Sequence, residues 1–383
     1  MVDRVKALET HSKNPGKISV EASVEIESRE DLDMVYTPGV AEPCKEIDAD
    51  RESVYEYTSK GNLVAVVSDG SAVLGLGDIG PEASMPVMEG KANLMKKFGG
   101  VDGFPVVLDA DGPGEIVESV ERMAPTFGAI NLEDIKAPRC FEVEQRLKER
   151  LDIPVFHDDQ HGTAIVVLAA LENALELVDR DLEEVRIAIS GAGASGIAVA
   201  NFLLDAGAGE VVVSDSEGIL QEDDENPYKA ELAARTPQEE GGLEDAMERA
   251  DVFIGLSAGG IVSQEMVESM GDDAIVFALA NPEPEIMPSE AKDAGAEIVA
   301  TGRSDFENQV NNSLAFPGVF RGVLDVKASE VNEEMKIAAS EAISSSVEPR
   351  KDSIVPETLD RELAEDIARA VKQAARETGV ARE

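Results

Sequence analysis

The stretch that decides the fold is Arg186-Ile187-Ala188-Ile189-Ser190-Gly191-Ala192-Gly193-Ala194-Ser195-Gly196. Its first half is a short apolar run, and its second half is a complete G-x-G-x-x-G. An apolar segment with helical character follows over residues 197–204, then a strand-like run at 211–213 and the acidic residue Asp215. A strand, this glycine pattern, a helix and an acid about 20 residues further on form the dinucleotide-binding fingerprint. The pattern predicts a dinucleotide site made by Gly191, Ala192, Gly193, Ala194, Ser195, Gly196 and Asp215.

Strand-like runs recur on both sides of this motif. The downstream runs, which predict a doubly wound parallel sheet of the Rossmann type, are 252–256, 275–279 and 297–300. The upstream runs alternate with helical patterns and predict a second α/β domain; they are 63–67, 104–108, 127–130 and 154–156. A long apolar helix at 162–178 connects the two. We expect an N-terminal domain over residues 1–160, the dinucleotide-binding domain over 161–328, and C-terminal helices over 329–383 that pack back on them.

Two acidic clusters follow upstream strands. Glu133 and Asp134 come after the run 127–130, and Asp158 and Asp159 come after the run 154–156. The carboxyl ends of parallel strands form the edge where open α/β sheets bind ligands. Carboxylates that converge there repel one another unless a cation binds them, and oxygen ligands without a nearby cysteine favour Mg²⁺ or Mn²⁺ over zinc. Capping of the following helix is the alternative role for a single acidic pair, but two clusters at one sheet edge favour a metal site.

The composition excludes several classes of protein. The 383 residues carry a formal net charge of −44, which argues against nucleic-acid binding because such binding needs a basic surface. No apolar run approaches the roughly 18 residues that span a bilayer, and the first residues lack a signal-peptide core. Two cysteines cannot form a disulfide framework. We expect a cytoplasmic protein, and the dispersed acidic surface suggests a salt-accumulating, halophilic source.

Three further segments carry polar side chains in positions suited to a cleft. Tyr36-Thr37-Pro38-Gly39 predicts a sharp turn into a helix, and residues 84–98 have helical spacing with Lys91 among apolar positions. Asn281-Pro282 follows a strand, and Asn312 precedes Phe316-Pro317-Gly318. Uncharged amides at such places can bind a carboxylate or a carboxamide, although ordinary turns use the same residues.

Together these motifs resemble malic enzyme. The resemblance covers most of the chain in order and is closest to the short bacterial and archaeal type. In the long, eukaryotic-type pattern an arginine just before a glycine-rich loop, residues 75–80 here, binds a malate carboxylate. Ala72 stands at the position of that arginine in this chain. The motifs that carry the resemblance are Tyr36-Thr37-Pro38-Gly39, Gly75-Leu76-Gly77-Asp78-Ile79-Gly80, Glu89-Gly90-Lys91, Glu133-Asp134, His157-Asp158-Asp159-Gln160-His161-Gly162-Thr163 and residues 191–196.

The resemblance implies a substrate and metal domain followed by a Rossmann NAD(P)-binding domain. It implies oxidative decarboxylation of malate, decarboxylation of oxaloacetate, NAD or NADP as cofactor, Mg²⁺ or Mn²⁺, and a homodimer or higher homo-oligomer. Lys91 is expected to take the malate hydroxyl proton, and Tyr36 to protonate C3 after decarboxylation. Asp158 is expected to orient the ligands, and His157 and His161 receive no catalytic role. The remaining expected roles are metal binding by Glu133, Asp134 and Asp159, cofactor binding by Asn281, and substrate binding by Asn281 and Asn312.

Two alternatives belong to other classes. Another two-domain dehydrogenase, such as an amino-acid dehydrogenase, would need a lysine but not the metal-binding carboxylates. A non-catalytic, nucleotide-sensing relative would not need Tyr36, Lys91 and the acidic clusters together. The choice between NAD and NADP stays open: Asp215 is placed to repel a 2′-phosphate, yet high salt screens that repulsion.

Overall fold

A computed structural model describes residues 4–14, 16–356 and 361–383. Its first sheet has four parallel strands in the order β2-β1-β3-β4. Every residue of β3 and β4 is buried, and so is β1 from its second residue onward, as expected for parallel strands covered on both faces. The four strands are β1 (Leu63–Ser68), β2 (Asp102–Val107), β3 (Ala129–Leu132) and β4 (Val155–His157).

The second sheet has six strands in the order β10-β9-β8-β5-β6-β7. Five strands are parallel, and only the short β7 pairs antiparallel at the edge. The strand order reverses direction at β5, which precedes the glycine motif, so the motif lies at the switch point where such sheets bind ligands. The strands are β5 (Arg186–Ser190), β6 (Glu210–Asp215), β7 (Gly218–Ile219), β8 (Val252–Gly255), β9 (Ile275–Ala278) and β10 (Ile298–Thr301).

Helices connect the strands and cover both sheets. Within the described residues, those before the second sheet are α1 (Arg4–Lys13), α2 (Arg29–Val35), α3 (Ala41–Ala49), α4 (Val54–Tyr57), α5 (Pro81–Gly99), α6 (Pro113–Met123), α7 (Arg139–Lys148) and α8 (Asp158–Leu177). Those that follow are α9 (Ala194–Asp205), α10 (Pro227–Ala233), α11 (Leu243–Met247), α12 (Gln264–Glu268), α13 (Pro288–Asp293), α14 (Phe316–Asp325), α15 (Glu333–Ser344) and α16 (Arg361–Glu377).

The helix that connects the sheets differs from its prediction in one respect that matters for the site. It was expected to begin at Gly162, but α8 begins at Asp158. Asp158 and Asp159 therefore lie in the first turn of a helix, where the positive end of the helix dipole favours carboxylates. The short helices between β6 and β10 were not predicted, because helices of five to seven residues contain too few apolar positions to show a helical period.

One apolar core extends from the first sheet into the second. Buried residues of β1, α8, β5 and α14 belong to the same cluster, while a separate cluster packs α11, α12 and α13 on the other face of the second sheet. The C-terminal helices contribute Met335 and Ile367 to the shared core, so they pack back on both domains as predicted. Among the described residues, no helix combines the length and apolarity needed to cross a bilayer.

Candidate active site

Three predicted metal ligands converge at the carboxyl edge of the first sheet. Glu133, Asp134 and Asp159 each offer a carboxylate oxygen, and these atoms all lie within 4.8 Å of one another. Glu133 and Asp134 follow β3, and Asp159 lies one residue beyond the start of α8. Asp134 adopts a left-handed backbone with φ of 53°, and its N–H donates to Asp159 at 2.8 Å. This bond joins the two acidic segments that the sequence separates by 25 residues.

Lys91 lies beside these carboxylates and is 8% exposed. Its ammonium group is 2.5 Å from Asp158 and 2.8 Å from Glu133. It also lies 4.3 Å from the centre of the Phe316 ring, which closes the other side of the amine. Asp158 was expected to orient the metal ligands; in the structure its carboxylate contacts Lys91. Lys91 is therefore a buried amine that contacts two acids. One of them, Glu133, belongs to the cluster of three carboxylates, and the other, Asp158, does not.

The pKa values at this edge follow from burial and from crowding of charge. Burial, together with the charges of the nearby Asp159 and Glu133 carboxylates, raises the pKa of Asp134 to about 8. Burial also raises the pKa of Glu133. For Lys91, burial lowers the pKa, but the charges of Asp158 and Glu133 outweigh burial and leave it above its ordinary value. Without a cation, Asp134 therefore tends to keep its proton and the Lys91 amine stays charged.

The surroundings of the acids include one residue that sequence reasoning missed. Asn131 is completely buried on β3, and its amide donates to Glu133 at 2.9 Å, which orients that carboxylate. The position of the missing arginine lies close by, since the Ala72 N–H donates to the Asp134 carbonyl oxygen at 2.9 Å. An alanine there offers only its backbone to a substrate. Asn131 lies only two residues before Glu133, whereas no sequence pattern indicates that Phe316 lies beside Lys91.

The glycine motif has the geometry that a dinucleotide requires. Gly191 has a φ of 110°, and a Cβ atom on Gly196 would lie 1.8 Å from the Gly191 carbonyl oxygen, so neither position accepts a side chain. A Cβ atom on Gly193 would meet nothing within 4 Å. The chain thus turns tightly into α9 and leaves open space above the helix N-terminus, where a pyrophosphate can bind backbone N–H groups.

Asp215 ends β6, as the fingerprint requires, but it is not a free acid. Its carboxylate accepts a bond from Lys229 at 2.5 Å and another from the Glu217 N–H at 2.8 Å. Although partial burial raises the pKa of Asp215, the bonds from Lys229 and from the Glu217 N–H together outweigh burial and lower it. Sequence reasoning missed Lys229, because it lies on α10, 14 residues beyond Asp215.

The two predicted asparagines lie beside different elements of the structure. Asn281 follows β9, and its amide donates to the Leu279 carbonyl oxygen at 3.3 Å while packing against Gly302. It lines a cavity of about 930 Å³ together with Arg303. The Cβ of Asn312 would lie 3.2 Å from a Cβ on Gly162, so Asn312 borders the first turns of α8, which carries Asp158 and Asp159.

Tyr36 is the predicted residue that the single chain does not bring to the cluster. It follows α2 and is 67% exposed, and among the described residues no hydrogen bond or ion pair connects it with Lys91 or the acids. Its surroundings are exposed as well, since α2 and α3 contain no buried residue. The turn from Tyr36 into a following helix is present as predicted.

Two protein-family models together match most of this chain. The family model for the malic enzyme N-terminal domain matches residues 15–148, and that for the malic enzyme NAD binding domain matches residues 160–376. A bifunctional malic/malolactic enzyme from Bacillus subtilis is 54% identical over 387 residues, which are 99% of this chain and 94% of that protein. An NADP-dependent malic enzyme from Halomonas elongata is 48% identical over 402 residues, covering 99% and 95% of the two chains.

A solved structure gives the same result. The crystal structure of malic enzyme from Pyrococcus horikoshii superposes with a TM-score of 0.95 at 52% identity, and the match covers 99% of this chain and 92% of that one. The predicted two-domain α/β fold and the prediction of an NAD(P)-dependent enzyme of this class are confirmed. The alternatives of an amino-acid dehydrogenase and of a nucleotide-sensing relative are not favoured.

Proposed function

The chain belongs to the malic enzyme family, and from this premise we propose that it oxidatively decarboxylates (S)-malate to pyruvate and CO₂ while reducing NAD or NADP. The observation that carries the proposal is the position of Lys91, which is buried between Asp158 and the three-carboxylate group. The same site should decarboxylate oxaloacetate, because that β-keto acid is the product of the oxidation step.

The three carboxylates fit a divalent cation. Their oxygens lie within 4.8 Å of one another, and the Asp134 Oδ2 atom is buried without a hydrogen-bond partner among the described residues. Glu133, Asp134 and Asp159 would therefore hold Mg²⁺ or Mn²⁺, which prefer such oxygen ligands. When bound, the cation would act as a Lewis acid toward the C2 oxygen and the enolate, and NAD(P) would accept the C2 hydride.

Lys91 would act as the base for the C2 hydroxyl proton. The negative charges of Asp158 and Glu133 keep its pKa high, so the amine needs part of that charge removed before it can accept a proton. Glu133 would lose its effect on Lys91 when its charge is balanced by a cation. Asp158, which accepts a hydrogen bond from Lys91, would then orient the neutral amine toward the substrate.

Tyr36 would protonate C3, and we propose that it does so in the site of a second copy of the chain. The residues around Tyr36 expose apolar side chains to water in the single chain. An exposed apolar patch of this kind is expected of a protein–protein interface. Helices as short as α2 and α3 are not stable without packing partners, and neither buries a residue within its own chain. The exposed apolar residues of this surface are Val20, Val24, Ile26, Leu32, Met34, Val35, Tyr36 and Val40.

Mixed dimers test this arrangement directly. Tyr36→Phe and Lys91→Ala chains should each be inactive in overall turnover. If the tyrosine acts on the partner's site, each mixed dimer contains one site with both native residues, and random mixing should restore about a quarter of wild-type activity. If Tyr36 acts within its own chain, mixing restores nothing, and an unmixed sample of each variant is the control.

The Asp215–Lys229 pair would govern the choice of cofactor. Asp215 alone would bind the ribose hydroxyl of NAD and repel a 2′-phosphate. Lys229 neutralises that charge and places an ammonium group where a phosphate could bind it. We therefore expect both cofactors to support the reaction.

The substrate carboxylate must be bound without the arginine of the long-type pattern. Asn281 and Asn312 would supply amide groups for it, and the cation would supply positive charge. We also propose that the acidic surface adapts the enzyme to concentrated salt, because repulsion among 44 net negative charges is screened within about 3 Å at 1 M.

A metal-dependence assay tests the proposed reaction. Enzyme treated with EDTA is incubated with malate and either NAD or NADP, with and without Mn²⁺. We expect reduced cofactor, pyruvate and CO₂ in equal amounts only when Mn²⁺ is present. Cofactor reduction without metal, or with an amino acid in place of malate, would contradict the proposal.

A further inference from the structure

A buried polar chain beside the first turn of α8 has no part in the proposed reaction. It consists of Glu144 on α7, His161 on α8 and Lys336 on α15. Glu144 and Lys336 are 5% and 4% exposed, and the His161 side chain is 15% exposed. Burying charged groups is costly unless each has partners, so their arrangement needs an explanation.

Glu144 receives hydrogen bonds from several donors where β4 meets α8. Its Oε1 atom accepts from the backbone N–H of His157 at 3.2 Å and from His161 Nε2 at 2.8 Å. Lys148 lies 3.0 Å from the same atom, and Gln160 donates to Oε2 at 3.4 Å. A carboxylate from a neighbouring helix thus binds both the last residue of the strand and the first turn of the next helix.

The direction of the remaining bonds follows from the acceptor. An ionised carboxylate only accepts, so His161 donates from Nε2 and its Nδ1 atom is left as an acceptor. The Lys336 ammonium lies 3.3 Å from that Nδ1 and can only donate to it. Lys336 also donates to Glu333 at 2.5 Å. The chain of bonds therefore runs from the C-terminal helix α15 through His161 to the junction of β4 and α8.

The same junction carries the two acids on which the site depends. Asp158 holds Lys91, and Asp159 accepts the Asp134 N–H within the ligand group. The turn has little room to adjust, because a Cβ atom on Gly162 would lie 1.9 Å from the Asp158 carboxylate. A shift of the first turn of α8 would move Asp158 and Asp159 together.

We propose that Glu144 is a positioning residue that fixes the first turn of α8, and with it Asp158 and Asp159, for binding of a divalent cation and orientation of Lys91. The inference rests on the proposed function, since it takes the three carboxylates as the cation site. His161 and Lys336 extend the same support to the C-terminal helices. Outer hydrogen-bond partners of metal ligands typically change metal affinity or activity by about 10- to 100-fold when removed.

The test uses Glu144→Gln in the full-length enzyme. The amide keeps the shape but loses the charge and half of the acceptor capacity. The Mn²⁺ dissociation constant is measured by electron paramagnetic resonance of free Mn²⁺, with no malate or cofactor, and the melting temperature is measured alongside. We expect the dissociation constant to rise about tenfold or more. Glu142→Gln is the matched control, because Glu142 lies on the same helix in a partly exposed pair with Arg146.

The outcomes separate this inference from the proposed function. If wild-type enzyme and Glu142→Gln do not bind Mn²⁺, the proposed cation site fails. If they bind it and a folded Glu144→Gln binds it equally well, only the positioning role fails. Should Glu144→Gln not fold, Lys336→Met carries the test. This substitution removes the last donor of the hydrogen-bonded series Glu144–His161–Lys336, so we expect a smaller increase of about threefold in the Mn²⁺ dissociation constant. A dissociation constant equal to that of the control would overturn the inference.

Discussion

Two lysine–aspartate pairs of the same length lie at the carboxyl ends of the two sheets. Lys91 is 2.5 Å from Asp158 in the first domain, and Lys229 is 2.5 Å from Asp215 in the second. The side chains of the first pair are 8% and 0% exposed, and those of the second are 21% and 13% exposed. The first pair also has Glu133 beside it. Burial and neighbouring charge, rather than the pair itself, decide whether such a lysine can serve as a base or only as a counter-charge.

The largest effect should come from removing an acid next to the buried pair. Asp134→Ala removes a proposed cation ligand, so kcat should fall by at least about 10³-fold, while the dissociation constant for NAD(P) stays nearly unchanged. The second pair lies in another domain and should not be affected. Kinetics with a Mn²⁺ series and a separate cofactor titration measure both quantities. Glu118→Gln, an exposed change on α6, is the control, and near-normal turnover without metal would refute the ligand assignment.

Lys91 and Tyr36, the two proposed proton carriers, should affect different steps of the reaction. Lys91→Ala should abolish NAD(P)H formation, because the lysine acts before carbon is lost. Tyr36→Phe keeps the ring and should lower overall turnover by about 10² to 10⁴, the usual range for general acid catalysis. Its first turnover of reduced cofactor should survive. Stopped-flow traces with enzyme in excess over malate distinguish the steps, and loss of the first hydride transfer in Tyr36→Phe would remove its role as the late donor.

Breaking the less buried pair, Lys229 with Asp215, should change cofactor choice without stopping the reaction. Lys229→Gln leaves Asp215 uncompensated, so the KM for NADP should rise by about tenfold, since a bond to a charged group contributes about 1.5–3 kcal/mol. The KM for NAD should change much less. Steady-state kinetics with both cofactors measure the ratio. Equal changes for NAD and NADP would show that Lys229 does not discriminate between them.

Protons and Mn²⁺ should compete for the buried carboxylates, which the less buried Lys229–Asp215 pair would not show. Burial, followed by the charges of Asp159 and Glu133, raises the pKa of Asp134 to about 8 in the metal-free protein. Because this value lies above the unfolded one, protonation stabilises the metal-free fold at low pH, and that contribution is lost as the pH rises through about 8. A cation must displace the proton, so Mn²⁺ affinity should fall by up to about tenfold per pH unit below pH 8. Mn²⁺ titrations from pH 6 to pH 9 test this, and a flat profile would contradict it.

The smallest and broadest effect should be that of salt on the surface charges. Screening extends over about 30 Å at 0.01 M ionic strength, so repulsion across the acidic surface becomes active there. We expect the melting temperature to rise with KCl concentration, whereas the buried Lys91 pair is screened little. Thermal melts from 0.05 to 3 M KCl measure the trend. A melting temperature independent of salt would rule out adaptation to concentrated salt.

Much of the candidate site could be predicted because its acids follow strands. Glu133, Asp134 and Asp159 come after short apolar runs, and parallel strands bring their carboxyl ends to one edge. The start of α8 could not be read in the same way, because Asp158 and Asp159 interrupt the apolar pattern that marks the rest of that helix. The role of Asp158 was therefore predicted incompletely, since its contact with Lys91 spans 67 residues.

The sequence by itself determined the parallel strands of both sheets, the glycine motif and the positions of the three acids that we propose as cation ligands. These features depend on local spacing, which fixes the backbone within one strand–turn–helix unit. Only the tertiary structure decided which charges meet: Lys91 with Asp158, Asp215 with Lys229, and Glu144 with His161 and Lys336. It also decided that Tyr36 lies exposed on its own chain. Such pairings depend on how helices pack across the sheets, and no periodicity in the chain records the distance between side chains on different elements.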